Sequence, residues 1–137
     1  MLSTILALDV GDKRIGIAIS DPTQTLASTR PACPRKNGAK IISEIATSEC
    51  CSLILVGLPY LPSGKIGSQA IKTNSFIDEL SKFTSLPIQT IDERLSSIEA
   101  RRKILNPNKI RKNKGVLDSA SAAVILQRYL DDTHAKT

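Results

Sequence analysis

The 137-residue chain has no tryptophan, and aromatic residues make up only 3% of it. Stacking of bases on aromatic side chains is therefore disfavoured as a way of reading single-stranded nucleic acid. Because 41% of the residues are nevertheless hydrophobic, the core must be built from isoleucine, leucine, valine and alanine. The length suits one compact domain, and we expect it to cover residues 1–137 with a polar tail from about residue 133.

Cysteine and histidine are also scarce. The cysteines Cys33, Cys50 and Cys51 form no C-x-x-C pair, and the single histidine, His134, lies near the polar end. This pattern excludes a recognisable zinc site. An odd number of cysteines, two of them adjacent, argues against a disulfide framework and favours reduced thiols in a cytoplasm-like compartment. We expect Cys50 and Cys51 to be small buried hydrophobic residues.

Long apolar runs are absent, since none approaches the roughly 20 residues needed to span a bilayer. The first apolar run already has the character of a structural strand and not of an export signal, so we expect a cytoplasmic protein without a membrane partner. What the chain does have is an excess of basic residues, with a net charge of +6 and a pI of about 9.4. Such an excess suggests a polyanionic partner, although many proteins with a modest basic excess bind none.

The basic residues are unevenly distributed. A segment without any acidic residue holds seven of the nineteen, namely Arg101, Arg102, Lys103, Lys109, Arg111, Lys112 and Lys114. This cluster is a candidate surface for contacts with nucleic-acid phosphates.

The hydrophobic pattern predicts a mixed α/β order. Successive apolar residues from Ile5 to Leu8 are typical of a central strand covered on both faces, and the alternating segment Arg14–Ser20 returns as the second strand of a hairpin. The remaining predicted elements are a weaker strand from Gln24 to about Cys33, a helix to about Glu49, a strand Ser52–Gly57, a helix Ser68–Phe83, a strand Leu86–Ile91, a helix from about Ser96 to Leu105 and a helix from near Val116 to Asp132. Strands linked through helices imply a parallel half sheet joined to an antiparallel half.

Acidic residues stand at the ends of these elements. Asp9 closes the first strand, Asp92 and Glu93 follow the last strand where open sheets bind ligands, and Asp118 lies on the core-facing stripe of the final helix. Each has an ordinary alternative: Asp9 as a turn former, Asp118 as a helix cap, and Asp92 or Glu93 as a surface partner of Arg94.

Carboxylates gathered in one site repel one another unless cations neutralise them. Oxygen ligands without cysteine or histidine select hard ions, so the expected cofactor is Mg²⁺ or Mn²⁺. Two such ions about 4 Å apart can activate a water and stabilise the leaving oxygen in phosphodiester hydrolysis. The acidic residues and the basic cluster together favour a metal-dependent endonuclease.

Four segments of the sequence resemble the YqgF/RuvX family, which is described both as Holliday junction resolvases and as pre-16S rRNA nucleases. They are LALDVGDKRIGIAISD at 6–21, LILVGLP at 53–59 followed by Gly64 and Gly67, IDERLSSIEAR at 91–101 and LDSASAAVILQRYLD at 117–131. The resemblance covers nearly the whole chain. One departure lies in the loop after Pro59, where the family often has an asparagine and an acid before the glycine.

The resemblance implies an RNase H-like fold with a five-stranded mixed sheet of order 3-2-1-4-5, antiparallel in strands 1–3, and helices on both faces. It also implies a catalytic centre of Asp9, Asp92 or Glu93, and Asp118, in which Asp9, Glu93 and Asp118 are the expected metal ligands. The expected nucleic-acid contacts are Lys13, Arg14, Arg94, Arg101, Arg102, Lys109, Arg111, Lys112 and Lys114. Arg14 is equally suited to a structural salt bridge.

The resemblance implies that the chain trims the 5′ end of small-subunit ribosomal RNA precursor, with cleavage of four-way DNA junctions as the alternative. Two other functions stay open at this point. One is a non-catalytic nucleic-acid-binding factor for ribosome assembly, and the other is a nucleotide-phosphate binder, for which a single domain of this length is too small. We expect a monomer or a weak homodimer.

Overall fold

The computed structural model describes residues 3–59, 63–92 and 114–135, with side chains described for all of these except 114–118 and 135. Its elements are the strands β1 Thr4–Val10, β2 Arg14–Ser20, β3 Ala27–Pro34, β4 Cys51–Leu58 and β5 Ile88–Asp92, and the helices α1 Gly38–Ser48, α2 Ser68–Leu80 and α3 Lys114–Ala135. The predicted helix from about Ser96 to Leu105 lies outside the described residues.

The strands form one sheet in the order β3-β2-β1-β4-β5. Strand β2 is antiparallel to both of its neighbours, β1 and β3, whereas β1, β4 and β5 run parallel to one another. This confirms the predicted sheet. The antiparallel half forms because a short turn joins β1 to β2, and the parallel half forms because helices carry the chain back between β3, β4 and β5.

Strand β1 lies at the centre, and Leu6, Ala7 and Leu8 are fully buried, as its unbroken apolar sequence predicts. Alternate residues point to opposite faces. Leu6 and Leu8 pack with residues of α1 and α2 in one core cluster, and Ile5 and Ala7 pack with residues of α3 in a second. We name these two sides of the sheet the α1/α2 face and the α3 face.

Strand β3 begins later than predicted because a turn bound by Asp21 comes before it. The Asp21 carboxylate accepts hydrogen bonds from the Thr25 and Leu26 amides, at 2.8 and 2.9 Å, and from the Thr23 hydroxyl. The Thr23 hydroxyl and these backbone amides lower the pKa of Asp21 to about 2. The strand also continues through Pro31, which β3 accommodates because it is an edge strand with a break in its register there.

The two adjacent cysteines differ from the prediction in one respect. Cys51 is buried in β4, and burial raises the pKa of its thiol, as it does for Cys33. Cys50 is exposed, so the expectation that it is buried was wrong. Cys50 has a φ of 55°, a left-handed conformation that reverses the chain between α1 and β4 and turns its side chain away from the core.

No helix in the described ranges is long and apolar enough to cross a membrane.

Candidate active site

The parallel strands β1, β4 and β5 all end at one edge of the sheet, where their last residues are Val10, Leu58 and Asp92. Open α/β sheets bind ligands beyond the carboxyl ends of their parallel strands. Asp9 lies one residue before the end of the central strand and is half-buried. This edge is therefore the candidate active site.

Asp9 has glycine neighbours across the sheet. Its partner in β2 is Gly16, and the register that pairs Leu8 with Val56 brings Gly57 of β4 level with it on the other side. Because Asp9 alternates with Leu8, its side chain lies on the α3 face, as do Gly16 and Gly57. Glycine has no side chain, so the two residues level with Asp9 in β2 and β4 add none on this face.

A tight turn joins β1 to β2. The Gly11 amide donates to the Arg14 carbonyl oxygen at 2.8 Å, which closes the hairpin and exposes Asp12 and Lys13. A Cβ atom at Gly11 would lie 2.7 Å from that same oxygen. The turn therefore requires glycine for reasons of space.

Replacing Gly11 with alanine is expected to destabilise the protein by about 1–3 kcal/mol, because the new methyl group collides with backbone that cannot move independently. The measurement is thermal unfolding, with a fall in Tm of roughly 5–10 °C. Lys13→Ala in the same turn is the matched control, because its side chain is exposed. Equal Tm values for Gly11→Ala and wild type would show that the turn accommodates a side chain.

Asp92 ends β5 on the opposite side of the sheet from Asp9. Asp92 pairs with Leu58, and two residues earlier Thr90 pairs with Val56. Val56 belongs to the core of the α1/α2 face. Asp92 is exposed and by alternation lies on that face. The structure thus brings Asp9 and Asp92 to the same edge but not to the same face.

Asp118 lies in α3, and the residue that follows it is fixed to the sheet. The buried Ser119 hydroxyl donates to the Arg30 carbonyl oxygen at 2.6 Å and accepts from the Ile17 amide at 3.2 Å. Ile17 and Arg30 pair where the β2–β3 register shifts, so the hydroxyl completes the hydrogen bonding of an irregular part of the ladder. Ile17 follows Gly16, the partner of Asp9.

A second contact holds α3 farther along. The Gln127 side chain accepts from the Ala27 amide and donates to the Thr25 carbonyl oxygen, both at 2.9 Å. Two such anchors, eight residues apart, fix how α3 lies on the sheet. The start of the helix, including position 118, is thereby held on the face that Asp9 occupies.

Sequence reasoning did not single out Ser119. The signal was available, because Ser119 stands three, four and seven residues before Ala122, Ala123 and Leu126, which pack against the sheet. A small polar residue on such a stripe must find a hydrogen-bond partner in the core. The bulge that provides the partner arises from strand pairing and could not be read from the sequence.

We expect Ser119→Ala to lower the free energy of unfolding by about 1–3 kcal/mol, since it leaves a buried amide and a partly buried carbonyl without the hydroxyl that bridges them. Chemical denaturation measures the change. Ser121→Ala, at a half-buried position on the same helix, should have little effect. Equal losses in the two variants would mean that the hydroxyl bridge contributes nothing specific.

Most of the other predicted site residues have no described side chain. Glu93, Arg94, Arg101, Arg102, Lys109, Arg111 and Lys112 lie outside the described residues, while Lys114 and Asp118 lie in α3 without described side chains. Lys13 and Arg14 are exposed at the hairpin. Within the described ranges there is no group of three histidine, cysteine, aspartate or glutamate residues placed to hold a metal. Of the predicted ligands, only Asp9 has a described side chain, and its carboxylate oxygens are of the type that a hard cation prefers.

The chain is similar to proteins with curated names over almost its full length. It is 43% identical over 135 residues to a protein of Desulforamulus reducens named "Putative pre-16S rRNA nuclease", with 93% of this chain and 96% of that protein covered. A Roseiflexus protein with the same name is 39% identical, with 93% of each chain covered.

Solved structures show the same fold. Thermus thermophilus RuvC in complex with a Holliday junction superposes with a TM-score of 0.60 at 7% identity, covering 97% of this chain and 96% of that one. The yeast mitochondrial Holliday junction resolvase Ydc2 gives 0.51 at 11% identity, covering 94% and 78%. The fold is thus the RNase H-like fold predicted from the sequence. A family model described as "RuvX: Holliday junction resolvase" matches residues 3–132, and the chain belongs to that family.

Proposed function

We propose that the protein is a divalent-metal-dependent endonuclease that hydrolyses phosphodiester bonds at the 5′ end of pre-16S rRNA. The observation that carries the proposal is the position of Asp9, a half-buried carboxylate at the carboxyl end of the central strand between Gly16 and Gly57. We take the proposed substrate, pre-16S rRNA, from the names of relatives that the chain matches over almost their whole length.

The ligands proposed for Mg²⁺ or Mn²⁺ are Asp9, Glu93 and Asp118. Asp9 lies on the α3 face, and the two anchors of α3 keep position 118 on that face. Asp92 lies on the other face. Successive strand residues alternate between faces, so position 93 would share the face of Asp9 if the alternation continued for one more residue. Glu93 is therefore the better candidate ligand.

Divalent ions held by these carboxylates would supply a water nucleophile near neutral pH and stabilise the leaving oxygen. Because positions 16 and 57 carry no side chain, neither residue would obstruct a phosphate oxygen that approaches Asp9. The predicted contacts with the nucleic-acid backbone are Lys13, Arg14, Arg94 and the basic residues between 101 and 114, which would bind phosphates without reading sequence. The protein would act in the cytoplasm as a monomer or a weak homodimer.

A second candidate function is the resolution of four-way DNA junctions. The description of the family favours it, since the matching model is named for Holliday junction resolvases. The same metal centre would serve both substrates, because both reactions hydrolyse a phosphodiester bond. The two functions differ in the nucleic acid whose backbone would bind at the carboxyl ends of the strands, a ribosomal RNA precursor or a four-way DNA junction.

The two are separated by a direct cleavage assay. Purified protein is incubated with a pre-16S rRNA 5′ fragment or with a four-way DNA junction, in Mg²⁺, in Mn²⁺ and in chelator. The proposal expects cleavage of the RNA that depends on the metal. Preferential cleavage of the junction would establish the second function instead, and tight RNA binding without metal binding or cleavage of either substrate would indicate a non-catalytic assembly factor.

A further inference from the structure

A basic cleft lies beside the β1–β2 turn, on the other side of the turn from Asp9. Its volume is about 490 Å³, and its lining residues are Asp12, Lys13, Arg35, Lys36, Asn37 and Glu79. A smaller adjoining cleft adds Gly11 and Lys72. Four cations thus face two carboxylates at the edge of the sheet where β1 ends.

The cleft is held rigidly to the candidate active site. The Arg35 amide donates to the Lys13 carbonyl oxygen at 2.8 Å, which fixes the connection between β3 and α1 against the β1–β2 turn. The same turn begins two residues after Asp9. The Gln69 side chain donates to the Val10 carbonyl oxygen at 3.1 Å and fixes α2 there as well. A polyanion lying in the cleft would therefore pass close to Asp9.

The cations of the cleft are of two kinds. Arg35 is half-buried, stacks on the Phe76 ring at 4.7 Å from its centroid and pairs with Glu79 at 3.1 Å, so the direction of its guanidinium is set. Lys13 and Lys36 are exposed, and neither forms a salt bridge with any residue that the structure describes. One oriented guanidinium flanked by two exposed ammonium groups suits the phosphates of a nucleic-acid backbone.

The ion pair between Lys72 and Asp12 is compatible with phosphate binding in the cleft. Lys72 contacts Asp12 at 3.0 Å, and both side chains are more than half exposed. Exposed pairs of this kind contribute about 0–1 kcal/mol, so Lys72 can exchange its partner for a phosphate at little cost. The Phe76 ring offers no surface for base stacking in the cleft, because it is fully buried and Arg35 covers one of its faces.

We infer that Lys13, Arg35, Lys36 and Lys72 form a phosphate-binding surface, the hairpin cleft, for the part of the substrate that flanks the cleaved bond. The inference rests on the proposed function for the identity of the substrate, a structured RNA. Asp9 lies on the α3 face and the hairpin cleft on the α1/α2 side of the same turn, so the substrate crosses the edge of the sheet and contacts both sides.

The test measures binding, separately from cleavage. In an Asp9→Asn background, the Lys13→Gln/Lys36→Gln variant is titrated with a base-paired pre-16S 5′ fragment in Mg²⁺ at four salt concentrations. Loss of two phosphate contacts should lower the slope of log K against log salt by about 2 and weaken binding roughly 10-fold or more near 0.1 M salt. Lys40→Gln/Lys82→Gln is the matched control, because it removes the same charge from two exposed lysines outside the cleft.

An unchanged slope in the cleft variant, or an equal change in the control variant, would overturn the inference. Displacement of the RNA by polyglutamate at equal charge concentration would also overturn it, by assigning the surface to an acidic protein. Failure of the proposed function has a different signature, which is a wild-type protein that binds the RNA with the full slope but does not cut it. Thermal unfolding confirms that each variant is folded.

Discussion

Asp9→Asn is expected to reduce metal-dependent cleavage by about 10³-fold, which corresponds to about 4 kcal/mol of transition-state stabilisation. The amide matches the carboxylate in shape but lacks its negative charge, so a divalent ion loses a ligand while the strand keeps its packing. We expect the fold to be retained, because the amide has nearly the same size as the carboxylate and Asp9 is only half-buried.

Three measurements make this prediction specific. Single-turnover cleavage gives the loss of rate, Mn²⁺ titration should show binding at least 10-fold weaker, and thermal unfolding should give a Tm close to that of wild type. Asp78→Asn is the matched control, since Asp78 is an exposed carboxylate on α2. Cleavage at the same rate by Asp9→Asn and Asp78→Asn would rule out Asp9 as a metal ligand.

The sheet could be predicted because its strongest signals are local. The four successive apolar residues from Ile5 to Leu8 predict a strand that is buried on both faces. The alternating segment from Arg14 to Ser20 has the same first and last residues as β2. The start of β3 could not be predicted, because the hydrogen bonds of Asp21 extend the preceding turn to Leu26. The exposure of Cys50 depends on a left-handed backbone conformation that its side chain does not favour.

The end of the sheet where the candidate site lies could be predicted, but the arrangement of its residues could not. The sequence places Asp9 and Asp92 at the ends of parallel strands, which is enough to bring these two residues to one edge. It does not say which face each occupies, because that depends on the register of β5 against β4. The bridge made by Ser119 depends likewise on a bulge between two other strands.

The register leads to the second large prediction, which concerns the choice between Asp92 and Glu93. Because Asp92 lies on the α1/α2 face, its carboxylate is directed away from the face of Asp9, and we propose that Glu93 completes the ligand set. Glu93→Gln should then reduce cleavage by at least about 100-fold, equivalent to about 3 kcal/mol. Asp92→Asn should reduce it by less than about 5-fold, equivalent to about 1 kcal/mol.

The pair is its own matched control, because each variant removes one negative charge from adjacent residues. Both are compared under single-turnover conditions over a range of Mn²⁺ concentrations. A lost ligand raises the Mn²⁺ concentration needed for half-maximal rate, whereas a general change in surface charge shifts it equally in the two variants. If Asp92→Asn were the more damaging variant, the Asp92 carboxylate would reach the metal although it lies on the α1/α2 face. Strand alternation would then not decide which carboxylate binds. The metal centre would then have to bridge both sides of the sheet.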